Sequence, residues 1–273
     1  MPRSTRIDID LGAILHNATV LRAAAGDKHV MAVVKADAYG HGSVPVATHI
    51  ESAVDAFAVA LIEEAVTLRD ADVTKPILVL EGPHCAADLA LCVHLNIWPT
   101  LHRADQLAWC HALTEKPAQA WLKIDTGMHR LGFQPAQAQS ISQQLKADGI
   151  KTVVAMSHLA AAETPDSDLS IAQKTTWDAA TTNWEGETSL HNSAATLLAT
   201  PARSVWARIG YALYGGQIEG HEPNARLKPA MTLASSVLAT RRIAQGDSVG
   251  YGGRWTAWRE SVIATVPVGY GDG

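Results

Sequence analysis

The stretch Val34-Lys35-Ala36-Asp37-Ala38-Tyr39-Gly40-His41-Gly42 sets one lysine at the end of the apolar run Val30–Lys35. An ammonium at the end of a buried strand is desolvated, and the free amine it can become attacks an aldehyde and holds it as an imine. The plain structural alternative is a lysine that extends its charged end past the strand into water. The turn Gly40-His41-Gly42 precedes a helix with Pro45 in its first turn, and it suits close approach of backbone to a ligand. Other stretches carry groups that hold an anionic, planar molecule. Asn192-Ser193-Ala194-Ala195 offers two short polar side chains, and Arg208-Ile209-Gly210-Tyr211 a guanidinium beside small-residue backbone. Loops of this kind hold phosphate through N–H and hydroxyl groups without a P-loop lysine. Taken singly, Asn-Ser is equally a helix cap and Arg208 equally a structural ion-pair residue. Lys123-Ile124-Asp125-Thr126-Gly127-Met128-His129-Arg130 concentrates charge and hydroxyl, with an Asp125–Arg130 pair as the structural reading. His158 suits either a ligand ring or a rim position, and Tyr251 and Tyr270, each between glycines, suit either displayed hydroxyls or turn packing.

The elements that must position these groups alternate regularly. Leu11, Ile14, Leu15, Ala18 and Leu21 recur at helical spacing behind Asp10 as N-cap and before Gly26 as stop. From Val30 onward come eight strand-like runs: Val30–Lys35, Phe57–Leu61, Pro76–Leu80, Ile97–Leu101, Ala120–Asp125, Thr152–Ser157, Thr188–Asn192 and Val205–Arg208. Most are followed by a helical segment, a rhythm that predicts an α/β fold, a (β/α)8 TIM-type barrel, rather than an open sheet. In such a barrel the C-terminal strand ends face one mouth, which is where Lys35, Lys123, His158, Asn192, Ser193 and Arg208 fall. Past about Arg226 the helices stop, and Met231–Ile243, Ser248–Tyr251 and Ser261–Gly269 read as strands. Residues 1–225 are therefore expected to form the barrel domain and 226–273 the start of an all-β domain, which strand 5–10 is expected to join. The β domain has too few strands to bury both faces, and the chain is expected to be incomplete at its C-terminus.

The composition fixes the class. The 273 residues are 47% hydrophobic and 18% charged, ample to bury a core and inconsistent with a disordered chain. A net charge of −5 gives no reason for attraction to nucleic acid or an anionic membrane. The N-terminus lacks the apolar region of a signal peptide, and no apolar run approaches a membrane span. Three cysteines without CxxC spacing predict neither a disulfide framework nor a zinc site, and no metal is expected. These features predict a cytoplasmic protein.

The motifs VVKADAYGHG, KIDTGMHRLG, HNSAA, VWARIGYALYG, VGYGGRWTA and VGYGDG together resemble those of the bacterial alanine racemases, over nearly the whole chain. The resemblance implies a barrel followed by a β domain and pyridoxal 5'-phosphate as cofactor. It further implies that Lys35 holds the cofactor as an imine, that Tyr39, Ser193 and the backbone at Gly210 and Tyr211 bind its phosphate, that Asn192 also binds the cofactor, and that Leu80 lines it. Arg208 would meet the pyridine nitrogen, His158 would link Arg208 to a second base, and Arg130 would meet the ring hydroxyl and the substrate. Lys123 matches a position often carbamylated in relatives, and Tyr270 a residue near the substrate entrance. Tyr251 matches a catalytic tyrosine that reaches the other subunit's site in a homodimer. The implied activity is interconversion of L- and D-alanine by two bases, supplying D-alanine for peptidoglycan. Rival readings are a broader amino-acid racemase, a non-catalytic barrel that binds the same cofactor, and a decarboxylase of related architecture.

Overall fold

The computed structural model describes residues 4–218 and 226–272. The expected boundary between residues 225 and 226 abuts a stretch, 219–225, outside the described residues. The chain divides into two compact units, Asp10–Ala230, and Met1–Ile9 together with Met231–Gly273.

In the larger unit, α1 (Leu11–Ala25), preceded in the chain by β1 (Arg6–Ile9), opens as its sequence dictates: the Asp10 carboxylate accepts the Ala13 N–H at 2.9 Å, and Gly26 ends the helix at φ 61°. Then follow β2 (His29–Val33), the single turn α2 (Lys35–Gly40), α3 (Ser43–Ile50), β3 (Ala56–Val59), α4 (Ile62–Asp70), β4 (Ile77–Val79) and α5 (Ala86–His94). The alternation continues through β5 (Ile97–Leu101), α6 (Ala104–Ala112), β6 (Gln119–Lys123), α7 (Ala138–Ala147), β7 (Thr152–Met156) and α8 (Asp168–Thr181). It ends with β8 (Thr188–Ser189), α9 (Ser193–Leu197) and β9 (Trp206–Ile209). The eight strands β2 to β9 lie parallel in the order β8-β7-β6-β5-β4-β3-β2-β9. At the seam between the end strands, Val205 N–H donates to the Thr188 carbonyl at 2.7 Å and Arg208 N–H to that of His191 at 2.9 Å. The expected (β/α)8 barrel is what the chain forms. The seventh strand is shorter than the expected Thr188–Asn192, because Leu190 and His191 N–H groups turn to the Ser204 hydroxyl instead of a neighbouring strand.

Helices cover the outside of the ring, so strand residues are apolar on both faces. The interior is packed by Met31, Ala58, Leu78, Trp121, Val154 and Trp206, with Trp98 against them. Trp98, Trp121 and Trp206 meet at ring-centroid distances of 5.7 to 6.1 Å. Side chains on a strand alternate faces, so two residues beyond Trp121, Val154 and Trp206 come Lys123, Met156 and Arg208, also facing inward. An aromatic plug thus closes the barrel below, and polar side chains occupy the layer above it.

In the smaller unit β10 (Met231–Ala234) pairs antiparallel with β1, β11 (Ala239–Ile243) with β14 (Ser261–Thr265), and β12 (Ser248–Val249) with β13 (Trp255–Thr256). The run Met231–Ile243 is two strands rather than one. Its first partner ends at Arg6 opposite Ala234, and pairing resumes only where Leu238 N–H finds the Thr265 carbonyl at 2.8 Å.

Candidate active site

The C-terminal strand ends enclose a cavity of about 580 Å³ in the larger unit. Lys35, Tyr39, Leu80, Lys123, Arg130 and His158 line it, as do Asn192, Ser193, Arg208, Gly210 and Tyr211. Every sequence-derived candidate in the barrel therefore reaches one space.

Lys35 does not close a strand: β2 ends at Val33, fully buried Val34 follows, and Lys35 begins α2. Ala36, Asp37, Ala38 and Tyr39 all have φ between 51° and 56°, one left-handed helical turn without a glycine. Such a conformation costs roughly 1–2 kcal/mol per residue and persists only where its surroundings hold it. Glu64 of α4 supplies much of the hold, one carboxylate oxygen accepting Ala36 N–H at 2.5 Å and the other Ala60 N–H at 2.7 Å. The Asp37 carboxylate accepts Ser43 N–H at 2.6 Å, and its carbonyl accepts Gly42 N–H at 2.9 Å. The turn throws Tyr39 back over the mouth. A Cβ at Gly210 would stand 2.8 Å from the Tyr39 hydroxyl and 3.3 Å from Val33 Cβ, so glycine is required there by close approach. Burial raises the Tyr39 phenol above its usual value, which keeps it a neutral donor.

Beside it, Ser193 Oγ accepts Gly210 N–H at 3.0 Å and Ala212 N–H at 3.3 Å, leaving its own hydroxyl proton to donate. Asn192 is the N-cap of α9, its side-chain oxygen accepting Ala195 N–H at 3.0 Å. The Tyr211 ring packs on Gly216, where a Cβ would lie 2.4 Å from it.

Arg208 is almost fully buried. Its Nη1 donates to the Ser189 carbonyl at 3.0 Å and to the Ser189 hydroxyl. Nη2 donates to the Ser157 carbonyl at 2.6 Å and meets His158 Nδ1 at 3.2 Å. Four of five guanidinium N–H groups are thereby placed, and the one at Nε has no partner among the described residues. Burial pulls the guanidinium down to about 10, still protonated at neutral pH. Burial, then Arg208, Lys123 and Arg130, hold His158 well below the usual imidazole value, so it is neutral. Burial, with Arg208 and Arg130 nearby, likewise holds the Lys123 amine well below a lysine's usual value, Asp125 opposing. Asp125 itself does not take the Arg130 pairing considered from sequence: it accepts Gly127 and His129 N–H, each at 3.0 Å, and lies 3.1 Å from His129 Nδ1. Arg130 is left exposed at the rim. Lys123 aside, the cavity wall holds Lys35, Arg130 and Arg208 against Glu81 and Glu163, a surplus of cationic side chains that suits an anionic ligand.

Tyr251 belongs to the smaller unit, in a turn after β12, and is 96% exposed; Tyr270 is likewise fully exposed. Neither is among the residues lining the barrel cavity. Sequence reading gave no role to the buried polar residues Ser157, Ser189 and Gln173, and took Thr126 only as the hydroxyl of its charged stretch. The available signal was weak: Ser189 and Thr126 interrupt apolar strand ends, whereas Gln173 looks like any polar helix residue.

The family model for the alanine racemase N-terminal domain matches residues 9–218, and that for the alanine racemase C-terminal domain residues 230–273. The alanine racemase of Alteromonas mediterranea is 40% identical over 275 residues, covering 100% of this chain and 77% of its own length. Among solved structures, the biosynthetic alanine racemase of Pseudomonas aeruginosa superposes with TM-score 0.93 at 36% identity, over 100% of this chain and 77% of that one. Alanine racemase from Bartonella henselae, with covalently bound pyridoxal phosphate, superposes with TM-score 0.86 at 30% identity, over 99% of this chain and 77% of that one.

Proposed function

The chain belongs to the alanine racemase family of pyridoxal-phosphate-dependent isomerases, and from that premise we propose that the barrel cavity binds pyridoxal 5'-phosphate and interconverts L- and D-alanine. The observation that carries this reading is the convergence of Lys35, the Tyr39 and Ser193 hydroxyls that both approach Gly210, and the Arg208 Nε–H, unpartnered among the described residues, in one cavity. The residues fit the group: Gly210 leaves the room that a Cβ would fill, and the cationic wall suits a phosphate and a substrate carboxylate. When bound, the cofactor supplies an aldehyde for an amine to condense with and a conjugated ring that withdraws electron density from the substrate's Cα.

The chain's own residues do the rest. The Lys35 amine would hold the cofactor and would take or return the proton on one face of the substrate's Cα. Tyr39 and Ser193, beside the backbone at Asn192, Gly210 and Tyr211, hold the phosphate, and Leu80 packs along the ring. Arg208, with its Nε–H free, would hold the pyridine nitrogen and, being cationic and without an acceptor, would leave that nitrogen unprotonated. Weaker electron withdrawal favours immediate return of a proton to Cα. Arg130 meets the ring hydroxyl and the substrate carboxylate. A neutral Lys123 amine is the form that adds to the carbon of carbon dioxide; with loss of its proton to water it becomes an anionic carbamate that orients Arg130.

Racemisation needs a second base on the opposite face. We assign it to Tyr251 of a second copy, making the working enzyme a homodimer, with the Nε2–H of His158 linking Arg208 to that tyrosine. Tyr270 stands near the substrate entrance. The proposal keeps a cofactor-binding barrel within residues 1–225 and a β domain from 226 that strand 5–10 joins. The product D-alanine would serve peptidoglycan. The three cysteines, all free, suit the reducing cytoplasm; among the described residues no helix is long and apolar enough to cross a membrane.

The test is an absorbance spectrum of the purified chain with the coenzyme, borohydride reduction with peptide mapping, and a D/L-resolved assay on alanine. A visible band, an adduct at Lys35 and racemisation are expected; a colourless chain with no adduct at Lys35 overturns the proposal.

A further inference from the structure

Behind the barrel wall a buried polar relay runs from the outer helix α8 toward the Arg208 guanidinium. Gln173 lies on α8 and is fully buried. Its side-chain oxygen accepts Ala160 N–H at 2.8 Å, and its Nε2 donates to the His158 carbonyl at 3.1 Å and reaches Thr126 Oγ1 at 3.5 Å. Thr126 Oγ1 is 2.8 Å from Ser157 Oγ, and Ser157 Oγ donates to the Ile124 carbonyl at 2.8 Å. Donor accounting fixes the polarity. A serine hydroxyl has one proton, and here Ile124 takes it, so Thr126 donates to Ser157 and accepts from Gln173. The backbone carbonyl of the same Ser157 accepts Arg208 Nη2 at 2.6 Å. One amide from α8 therefore ties together the loop after β6 that leads to Arg130, the loop after β7 that carries His158, and the strand end that carries Arg208.

We propose that Gln173 and Thr126 are positioning residues that set the orientation of the Arg208–His158 pair through Ser157, and so aim the Arg208 Nε–H into the cavity. The proposal rests on the reading of the cavity as a pyridoxal-phosphate site. Buried networks of this kind act as a unit, because each hydrogen bond polarises the next and a vacated partner leaves a desolvated polar atom. Neither residue lines the cavity, so neither touches cofactor or substrate. Their effect would pass entirely through the direction of the guanidinium.

The test uses the 273-residue chain in four forms: wild type, Thr126→Val, Thr126→Ser and Gln173→Met. Valine keeps threonine's shape without the hydroxyl, serine keeps the hydroxyl, and methionine keeps the length of glutamine. In the coenzyme-loaded protein, Thr126→Val and Gln173→Met are expected to lower kcat roughly ten- to a hundredfold, as outer-shell substitutions do, with KM for alanine within about threefold. The pH at which the visible band of the bound coenzyme titrates should move in both, and Thr126→Ser should restore wild-type behaviour. In the coenzyme-free protein, the imidazole NMR signals of His158 should shift in the valine and methionine variants and return in the serine variant. Variants that fold with kcat, band titration and His158 signals all at wild-type values overturn the proposal, as does a loss that serine fails to restore. A wild-type chain that takes up no coenzyme overturns the cofactor reading instead, and the His158 signals of the coenzyme-free chain still decide the relay.

Discussion

Nη2 of Arg208 lies 3.2 Å from Nδ1 of His158, and because a guanidinium has no acceptor, the imidazole nitrogen must accept. That fixes the tautomer with its proton on Nε2. It agrees with the burial and the neighbouring cations that keep the ring neutral. Arg208 is thus held by two carbonyls, a hydroxyl and an imidazole, with its Nε–H as the free donor.

Replacing that donor by a carboxyl reverses its effect on the cofactor. In Arg208→Glu, a carboxyl at position 208 would let the pyridine nitrogen carry a proton, and the bound cofactor would then withdraw electron density from Cα more strongly. Transamination should rise relative to racemisation in the folded, coenzyme-loaded fraction. Pyruvate formed per racemisation event measures this, and an unchanged ratio refutes the role given to Arg208.

His191 ties stability to pH. It is buried, its Nε2 has no partner among the described residues, and burial, with Lys28 also acting, brings its pKa to about 4. Unfolded, it titrates near ~6.5, so between about 4 and ~6.5 the unfolded chain binds more protons than the folded one. Folding stability therefore rises with pH across this window and falls as the solution is acidified through it, by about 3 kcal/mol in total. His158 acts with the same sign. Urea unfolding from pH 4 to 7 should show a shallower slope for His191→Leu than for the wild type; equal slopes would rule His191 out as the source.

The approach of Tyr39 to Gly210 predicts a coupled pair. Gly210→Ala sets a methyl 2.8 Å from the Tyr39 hydroxyl but at an ordinary 3.4 Å from the ring carbon bearing it. It should weaken coenzyme affinity roughly tenfold, about 1.4 kcal/mol. In a Tyr39→Phe background, where the clashing atom is gone, the added loss should shrink to within about twofold. Titration of coenzyme fluorescence in the four proteins closes the cycle, and strictly additive losses would show that the two residues do not meet.

Shared bases predict complementation. Lys35→Ala and Tyr251→Phe chains should each be nearly inactive, whereas a mixture unfolded and refolded together should recover activity, since one site of each mixed dimer holds both bases. Recovery no greater than either parent alone would show that the sites are not shared.

Much of this was legible in the residues themselves. The helix from Leu11 to Ala25 was fixed by Asp10 and Gly26, because caps are local chemistry. The alternation of strand faces already placed Lys123 two residues above Trp121 and Arg208 two above Trp206, so the polar layer over an apolar plug follows from period two alone. What the sequence did not hold was which groups meet across the ring. The left-handed turn after Lys35 stands because Glu64, 28 residues away, accepts its first N–H, and Arg208 bonds Ser157 across 51 residues. Local preference sets caps and strand faces within a few residues. Contacts across tens of residues depend on the register of every strand between them, and only the closed barrel settles that.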